Sequence, residues 1–184
     1  MIYFIGGVGR SGKSTLRSRL CKDYGISGIT TDLLTQVFSV ADPSFGLNFE
    51  SPWDVGYKKM QNVLKALATY HPSTHNFVVE GWHITPLNIS EYREWSSNNL
   101  KMIVLGYASA TTTEKIKQIK ENPNYNEYTG EFSEHELLKY VTNLIETSKR
   151  HKKECLANNV RYIDTSVDFS LALEEATKYL MQDS

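Results

Sequence analysis

A short stretch near the start of the chain dictates most of what it can become. Gly7-Val8-Gly9-Arg10-Ser11-Gly12-Lys13-Ser14 follows the β-branched and aromatic run Ile2-Tyr3-Phe4-Ile5 and precedes Leu16 and Leu20 at helical spacing. It satisfies G-x-x-x-x-G-K-[ST] at every fixed position, a match that arises by accident with a probability on the order of one per cent. The chemistry behind the pattern is anion binding. Glycines let the backbone curl so that successive N–H groups converge, and the helix that follows brings its positive end to the same point. Lys13 then reaches the β- and γ-phosphates of a nucleotide as a mobile point charge, while the Ser14 hydroxyl ligates Mg²⁺. All eight residues are expected to bind ATP, with Thr15 close to the α-phosphate. The plainer reading, a glycine-rich turn with a solvated lysine, requires neither the strand before the motif nor the helix after it.

The 184 residues suit one domain, 1–184. Lys+Arg 20 nearly cancels Asp+Glu 21, so the basic footprint of a nucleic-acid binder is missing, and no apolar run is long enough to span a membrane. Cys21 and Cys155 have no C-x-x-C or histidine companion, which argues against disulfides or zinc and for a cytoplasmic protein. Further strands are expected at Gly28 to Thr31, Asn76 to Glu80, Met102 to Leu105 and Val160 to Ile163. Between them lie helical patterns: one starting directly after Asp32, and one from Trp53 through Tyr57, Met60, Leu64 and Leu67 to about His71. Ser39 to Pro52 has no period and reads as a long loop. Thr111-Thr112-Thr113-Glu114 and Ser133-Glu134-His135-Glu136 each have capping-box spacing, and Leu137, Val141, Leu144, Ser148, His151 and Cys155 form one long stripe. Alternating strands and helices imply a parallel α/β sandwich with right-handed crossovers.

A phosphate cradle does not name a reaction. A guanine-reading N-K-x-D is missing, since Asn98-Asn99-Leu100-Lys101 does not fit it. In length, motif order and the presence of a lid-like segment the chain resembles the P-loop small-molecule kinases of the nucleoside monophosphate kinase-like superfamily. Gly28-Ile29-Thr30-Thr31-Asp32 and Phe77-Val78-Val79-Glu80-Gly81-Trp82-His83 look most like 2-phosphoglycerate kinase-type proteins, with chloramphenicol phosphotransferase and zeta-toxin kinases as more distant relatives. The resemblance implies a three-layer fold with a five-stranded parallel sheet in the order 2-3-1-4-5, and a helical lid inserted at about 111–150. Nucleotide and acceptor would meet above the strand C-termini, where ligands of open α/β sheets generally bind.

By the same resemblance, Asp32 takes the proton of the acceptor hydroxyl, as the matching aspartate does in those kinases, and Glu80 holds Mg²⁺ through water. Asp32 also suits the plain role of helix N-cap, and the two roles are compatible. Relatives carry arginines in the lid, whereas this chain offers Lys115, Lys117 and Lys120 before the polar loop Asn122 to Phe132 and Lys149 and Arg150 after it. Arg150 is the candidate clamp on the transferring phosphoryl group, against a reading of Lys149 to Lys153 as a solvated face, and His151 is expected to be packed. Asp164-Thr165-Ser166-Val167 should lie by the adenine, with Thr165 as a contact. The acceptor pocket is expected from Asp32, the loop through Phe45 and Phe49, Trp53, Trp82 and His83, with core packing the favoured role for Trp53 and Tyr57. Its rings, and the lack of an arginine fork nearer than Arg93, point to a neutral or partly aromatic hydroxyl compound. The expectation is thus Mg²⁺-assisted transfer from ATP to a small hydroxylated acceptor. A nucleoside or nucleotide kinase, and an ATP-binding regulatory or weak ATPase module, are the alternatives.

Overall fold

The computed structural model describes residues 1–70, 76–122 and 131–182. Five parallel strands, β1 (Ile2–Gly7), β2 (Ser27–Thr30), β3 (Phe77–Glu80), β4 (Leu100–Gly106) and β5 (Arg161–Asp164), form one sheet in the order β2-β3-β1-β4-β5. All six residues of β1 are buried, because as the central strand it is covered on both faces, and its continuous apolar run reflects that. Its side chains alternate between two cores. Ile2 and Phe4 join Met60, Leu64, Val79, Tyr92 and Val104 on one face, while Tyr3 and Ile5 join Leu16, Leu20, Ile103, Leu173 and Leu180 on the other.

The helices are α1 (Lys13–Tyr24), α2 (Thr31–Ala41), α3 (Trp53–Thr69), α4 (Ile89–Trp95), α5 (Thr112–Glu121), α6 (Glu134–Ala157) and α7 (Phe169–Met181). Two of them start as the sequence indicates, with reciprocal side-chain and backbone bonds at Thr111/Glu114 and Ser133/Glu136. The cap of α2 differs from expectation. Thr30, the last residue of β2, accepts from the Leu33 N–H at 2.9 Å, so the helix begins one residue before Asp32 and leaves that carboxylate exposed in its first turn. The loop after Ser39 is shorter than expected, because α2 runs to Ala41 and a 3-10 turn follows at Pro43–Phe45. α4 is not anticipated by any sequence pattern, because its seven residues are too few to display a helical period.

A third core, Val8, Tyr107, Ile119, Leu137, Val141 and Ile145, joins α5 and α6 to the bend after β1. It places the two arms of the expected lid against the glycine-rich loop. The segment between them, 123–130, and the end of the expected third helix at His71 lie outside the described residues.

Candidate functional site

The bend at residues 7–14 has the conformation that its glycines permit. Gly7 has φ +130° and Gly12 φ +92°, in the left-handed region that side chains disfavour. A Cβ on Gly7 would sit 1.9 Å from the Leu105 carbonyl oxygen, and one on Gly12 would sit 2.7 Å from the Phe169 ring. Gly12 also forms the N-terminal cap of α1, so the helix dipole and the first N–H groups of α1 open into the bend. Two donors gather the loop from inside, Ser11 Oγ to the Val8 carbonyl at 2.9 Å and Lys13 Nζ to the same carbonyl at 2.7 Å. Burial pulls the Lys13 ammonium below the usual lysine range, an effect opposed by the carboxylates of Glu80 and Asp32. All three groups therefore share one electrostatic neighbourhood.

Glu80 is the hub of this site. It ends β3, is only 4% exposed, accepts from Ser14 Oγ at 2.8 Å and lies 3.7 Å from Arg17 Nε. Ser14 and Arg17 are three residues apart on α1 and present one face to the carboxylate. Arg17 was not among the candidates from sequence, although its spacing from Ser14 was the available signal.

Arg10, at φ +60°, carries the bend into the lid arms. Its guanidinium donates to the carbonyls of Ile119 at 3.2 Å and Asn122 at 2.6 Å, the C-terminal end of α5. In return Lys115 Nζ donates to the Arg10 carbonyl at 2.9 Å while lying 4.0 Å from the centre of the Tyr107 ring. Tyr107 Oη donates to the Gly9 carbonyl at 2.8 Å. Lys115 and Tyr107 are thus residues of the cradle that sequence spacing did not single out in this role. Arg150 lies elsewhere: it is exposed on α6, pairs with Glu154 at 3.7 Å, and lines an open groove with Glu146, Lys149, Lys152 and Lys153. His151, one residue on, turns inward and is buried, as its place on the apolar stripe implies.

Thr165 is buried too, and both its N–H, at 2.7 Å, and its hydroxyl, at 3.1 Å, are given to the Gly106 carbonyl. These donors tie the end of β5 to β4 and are unavailable to a base, which corrects the expected contact through them. Across the C-terminal edge of the sheet stands a group of rings. Trp53 and Trp82 have centroids 4.4 Å apart, and the His83 ring stacks on Trp53 at 5.5 Å. His83 Nδ1 lies 3.2 Å from Thr31 Oγ1, and burial lowers its pKa to about 4. Trp53, expected at the acceptor pocket with core packing as the favoured role, is 46% exposed, whereas Met60 and Leu64 of the same stripe are at 0%.

The donor set fits a magnesium nucleotide. Mg²⁺ prefers hard oxygen ligands and is commonly held by one or two protein groups plus phosphates and waters. Ser14 Oγ and the Glu80 carboxylate are such groups. Among the described residues no three carboxylate, imidazole or thiolate side chains converge into a closed metal cage.

Solved structures share this architecture end to end. Shikimate kinase from Bacteroides thetaiotaomicron superposes with a TM-score of 0.60 at 11% identity, covering 99% of this chain and 97% of its own. A gluconokinase from Sinorhizobium meliloti 1021 gives 0.55 at 17%, covering 97% and 94%. Shikimate kinase from Aquifex aeolicus gives 0.51 at 15%, covering 98% and 96%. The chain has the fold of the P-loop small-molecule kinases. In sequence, no protein-family model and no curated protein matches it. The P-loop kinase fold accounts for the strand order β2-β3-β1-β4-β5. Among the described residues no helix is long and apolar enough to cross a membrane.

Proposed function

We propose that the protein is an ATP-dependent phosphotransferase that moves the γ-phosphoryl group to a hydroxyl of a small molecule. The observation that carries the reading is the meeting of Lys13, Ser14 and Glu80 at the C-terminal ends of β1 and β3, with Asp32 close enough to act on the Lys13 charge. Phosphoryl transfer asks a protein mainly to position the acceptor and to neutralise charge on the moving group. Lys13 and the N–H groups of the bend hold the phosphate oxygens, and Ser14 and Glu80 hold the cation. Magnesium, when bound, neutralises phosphate charge and fixes the orientation of the phosphate tail. Asp32, exposed in the first turn of α2, accepts the proton of the acceptor hydroxyl. The hydroxyl oxygen forms a bond to the γ-phosphorus as the bond from that phosphorus to the β–γ bridging oxygen breaks, and ADP leaves with the electron pair.

A nucleoside monophosphate acceptor would require cations in the acceptor wall, and residues 28–57 contain no Lys or Arg. A regulatory or weak ATPase module remains the rival reading. The deciding experiment measures ADP release with Mg²⁺ and ATP against a panel of hydroxyl compounds. Stimulation above basal hydrolysis by at least one compound supports transfer. ATP binding with no stimulation by any compound supports the rival.

A further inference from the structure

The wall beside Asp32 is built of rings held in place by polar bonds. Trp53 and Trp82 remain 46% and 52% exposed although they touch, so together they offer water an indole surface that burial against a ligand would remove. The His83 ring lies nearly parallel to Trp53, at 14°, and edge-on to Trp82 at 5.2 Å. Thr31 fixes His83 from one side, and Gln61 Nε2, which donates to the His83 carbonyl at 2.9 Å, fixes its backbone. Gln61 is itself held by Tyr92 Oη at 2.9 Å. Gly81 permits this close docking, since a Cβ there would fall 1.9 Å from Thr31 Oγ1. Because Thr31 and Asp32 are consecutive, the ring wall and the carboxylate share the start of α2.

Acids predominate around this wall: Lys13 faces the phosphate cradle, and Lys59 on α3 donates to the Phe45 carbonyl. Residues 28–57 contain Asp32, Asp42, Glu50 and Asp54 without a single Lys or Arg. His83 is neutral at pH 7, and Arg17, half-buried on α1, is already engaged by Glu80. An anionic acceptor would face carboxylates without a fork of cations to balance it.

We infer that the phosphoryl acceptor is a hydroxyl compound with a flat ring and no negative charge, its ring lying against Trp53 and Trp82 while Asp32 receives the hydroxyl proton. This names the acceptor class of the phosphotransferase reading and rests on that reading. A protonated amine on the acceptor is favoured further, by the acids and by the indole faces.

Three probes share one phenol ring and differ in charge: tyrosol (neutral), tyramine (cationic) and 4-hydroxyphenylacetate (anionic). Each is titrated into the protein with Mg²⁺ and a non-hydrolysable ATP analogue, with tryptophan fluorescence as the binding signal, and ADP release is recorded in parallel with ATP. Tyrosol and tyramine are expected to bind about tenfold or more tighter than the carboxylate. Trp82→Ala should weaken tyrosol about tenfold while Trp82→Phe, which keeps a ring, restores most of the affinity. Equal or tighter binding of the carboxylate overturns the inference, as does unchanged tyrosol affinity in Trp82→Ala or failure of both tyrosol and tyramine to bind. ADP release driven only by the anionic probe overturns it and keeps the kinase reading. Charge-selective ring binding without ADP release from any hydroxyl compound keeps the ring site and overturns the kinase reading.

Discussion

Ser14 Oγ donates to Glu80 Oε1 at 2.8 Å, joining the first turn of α1 to the last residue of β3. The bond spans 66 positions of sequence, and β1, which precedes both elements in the chain, lies beside both in space. Arg17 approaches the same carboxylate from the next turn of α1. A cation held here would therefore find its protein oxygens already oriented.

Glu80→Gln keeps the shape of this group and removes its charge. Outer partners of metal ligands typically change affinity by about 10- to 100-fold when altered. The Mg²⁺ concentration for half-maximal ADP release should rise by about that factor, with ATP binding in the absence of metal little changed. A Mg²⁺ titration of the variant beside the wild type reads the shift directly.

Lys13→Ala removes the ammonium that faces the phosphate tail. Loss of a preorganised group of this kind costs about 10²- to 10³-fold in turnover. Single-turnover measurement of ADP formation should show that loss, and near-normal turnover would deny Lys13 its role.

Asp32→Asn tests proton acceptance. The residue is exposed and does not cap α2, which Thr30 does, so the fold should be unaffected. Acceptor-stimulated ADP release should drop by about 10²- to 10⁴-fold, while ATP affinity, measured by calorimetry, stays within a few-fold of wild type.

Gly12→Ala introduces a side chain at φ +92° and against the Phe169 ring. The backbone cost alone is about 1–2 kcal/mol, and for a chain of this size each 1 kcal/mol lowers Tm by about 2–4 °C. A second change, Phe169→Ala, should recover only the steric part. Thermal unfolding of the single and double variants separates the two contributions.

Acid should destabilise the protein through His151. Burial, with the Arg150 and Lys13 charges adding to it, lowers its pKa from 6.5 to about 4, and its Nδ1 has no hydrogen-bond partner among the described residues. In the unfolded chain the ring takes a proton near pH 6.5, whereas the folded protein refuses it until about pH 4. The stability is therefore complete above pH 6.5 and is lost as pH falls towards 4, by up to about 3 kcal/mol. His83, also lowered to about 4 by burial, contributes in the same direction. His151→Leu should flatten the dependence of Tm on pH in this range and leave Tm at pH 7 unchanged or raised, because it deletes an unsatisfied buried nitrogen.

What could be read from the chain was whatever local spacing encodes. The glycine-lysine-serine motif, both capping boxes, the inward stripe of α6 and the acid at the end of β3 depend on residues within one or two turns of each other. The strand order came with the resemblance and matches the sheet observed. The grouping of Trp53 with Trp82 and His83 was expected and is observed, but other pairings across the fold were not legible, because no local period records them: Arg17 beside Glu80, or Lys115 against the Arg10 carbonyl. Arg150 shows the converse. The lid resemblance made it the candidate phosphate clamp, against a reading of its basic run as a solvated face, and helical phase turns it to solvent and its neighbour His151 inward.

Val8 belongs to the core that α5 and α6 share, and Arg10 is fastened to the end of α5. The cradle consequently cannot soften by itself. Damage to the distant arms, such as truncation of Val141 or Ile145, would surface as weakened nucleotide capture. Conversely, filling the cradle would delay heat-induced loosening of both arms, so ligand occupancy and arm integrity form one cooperative unit.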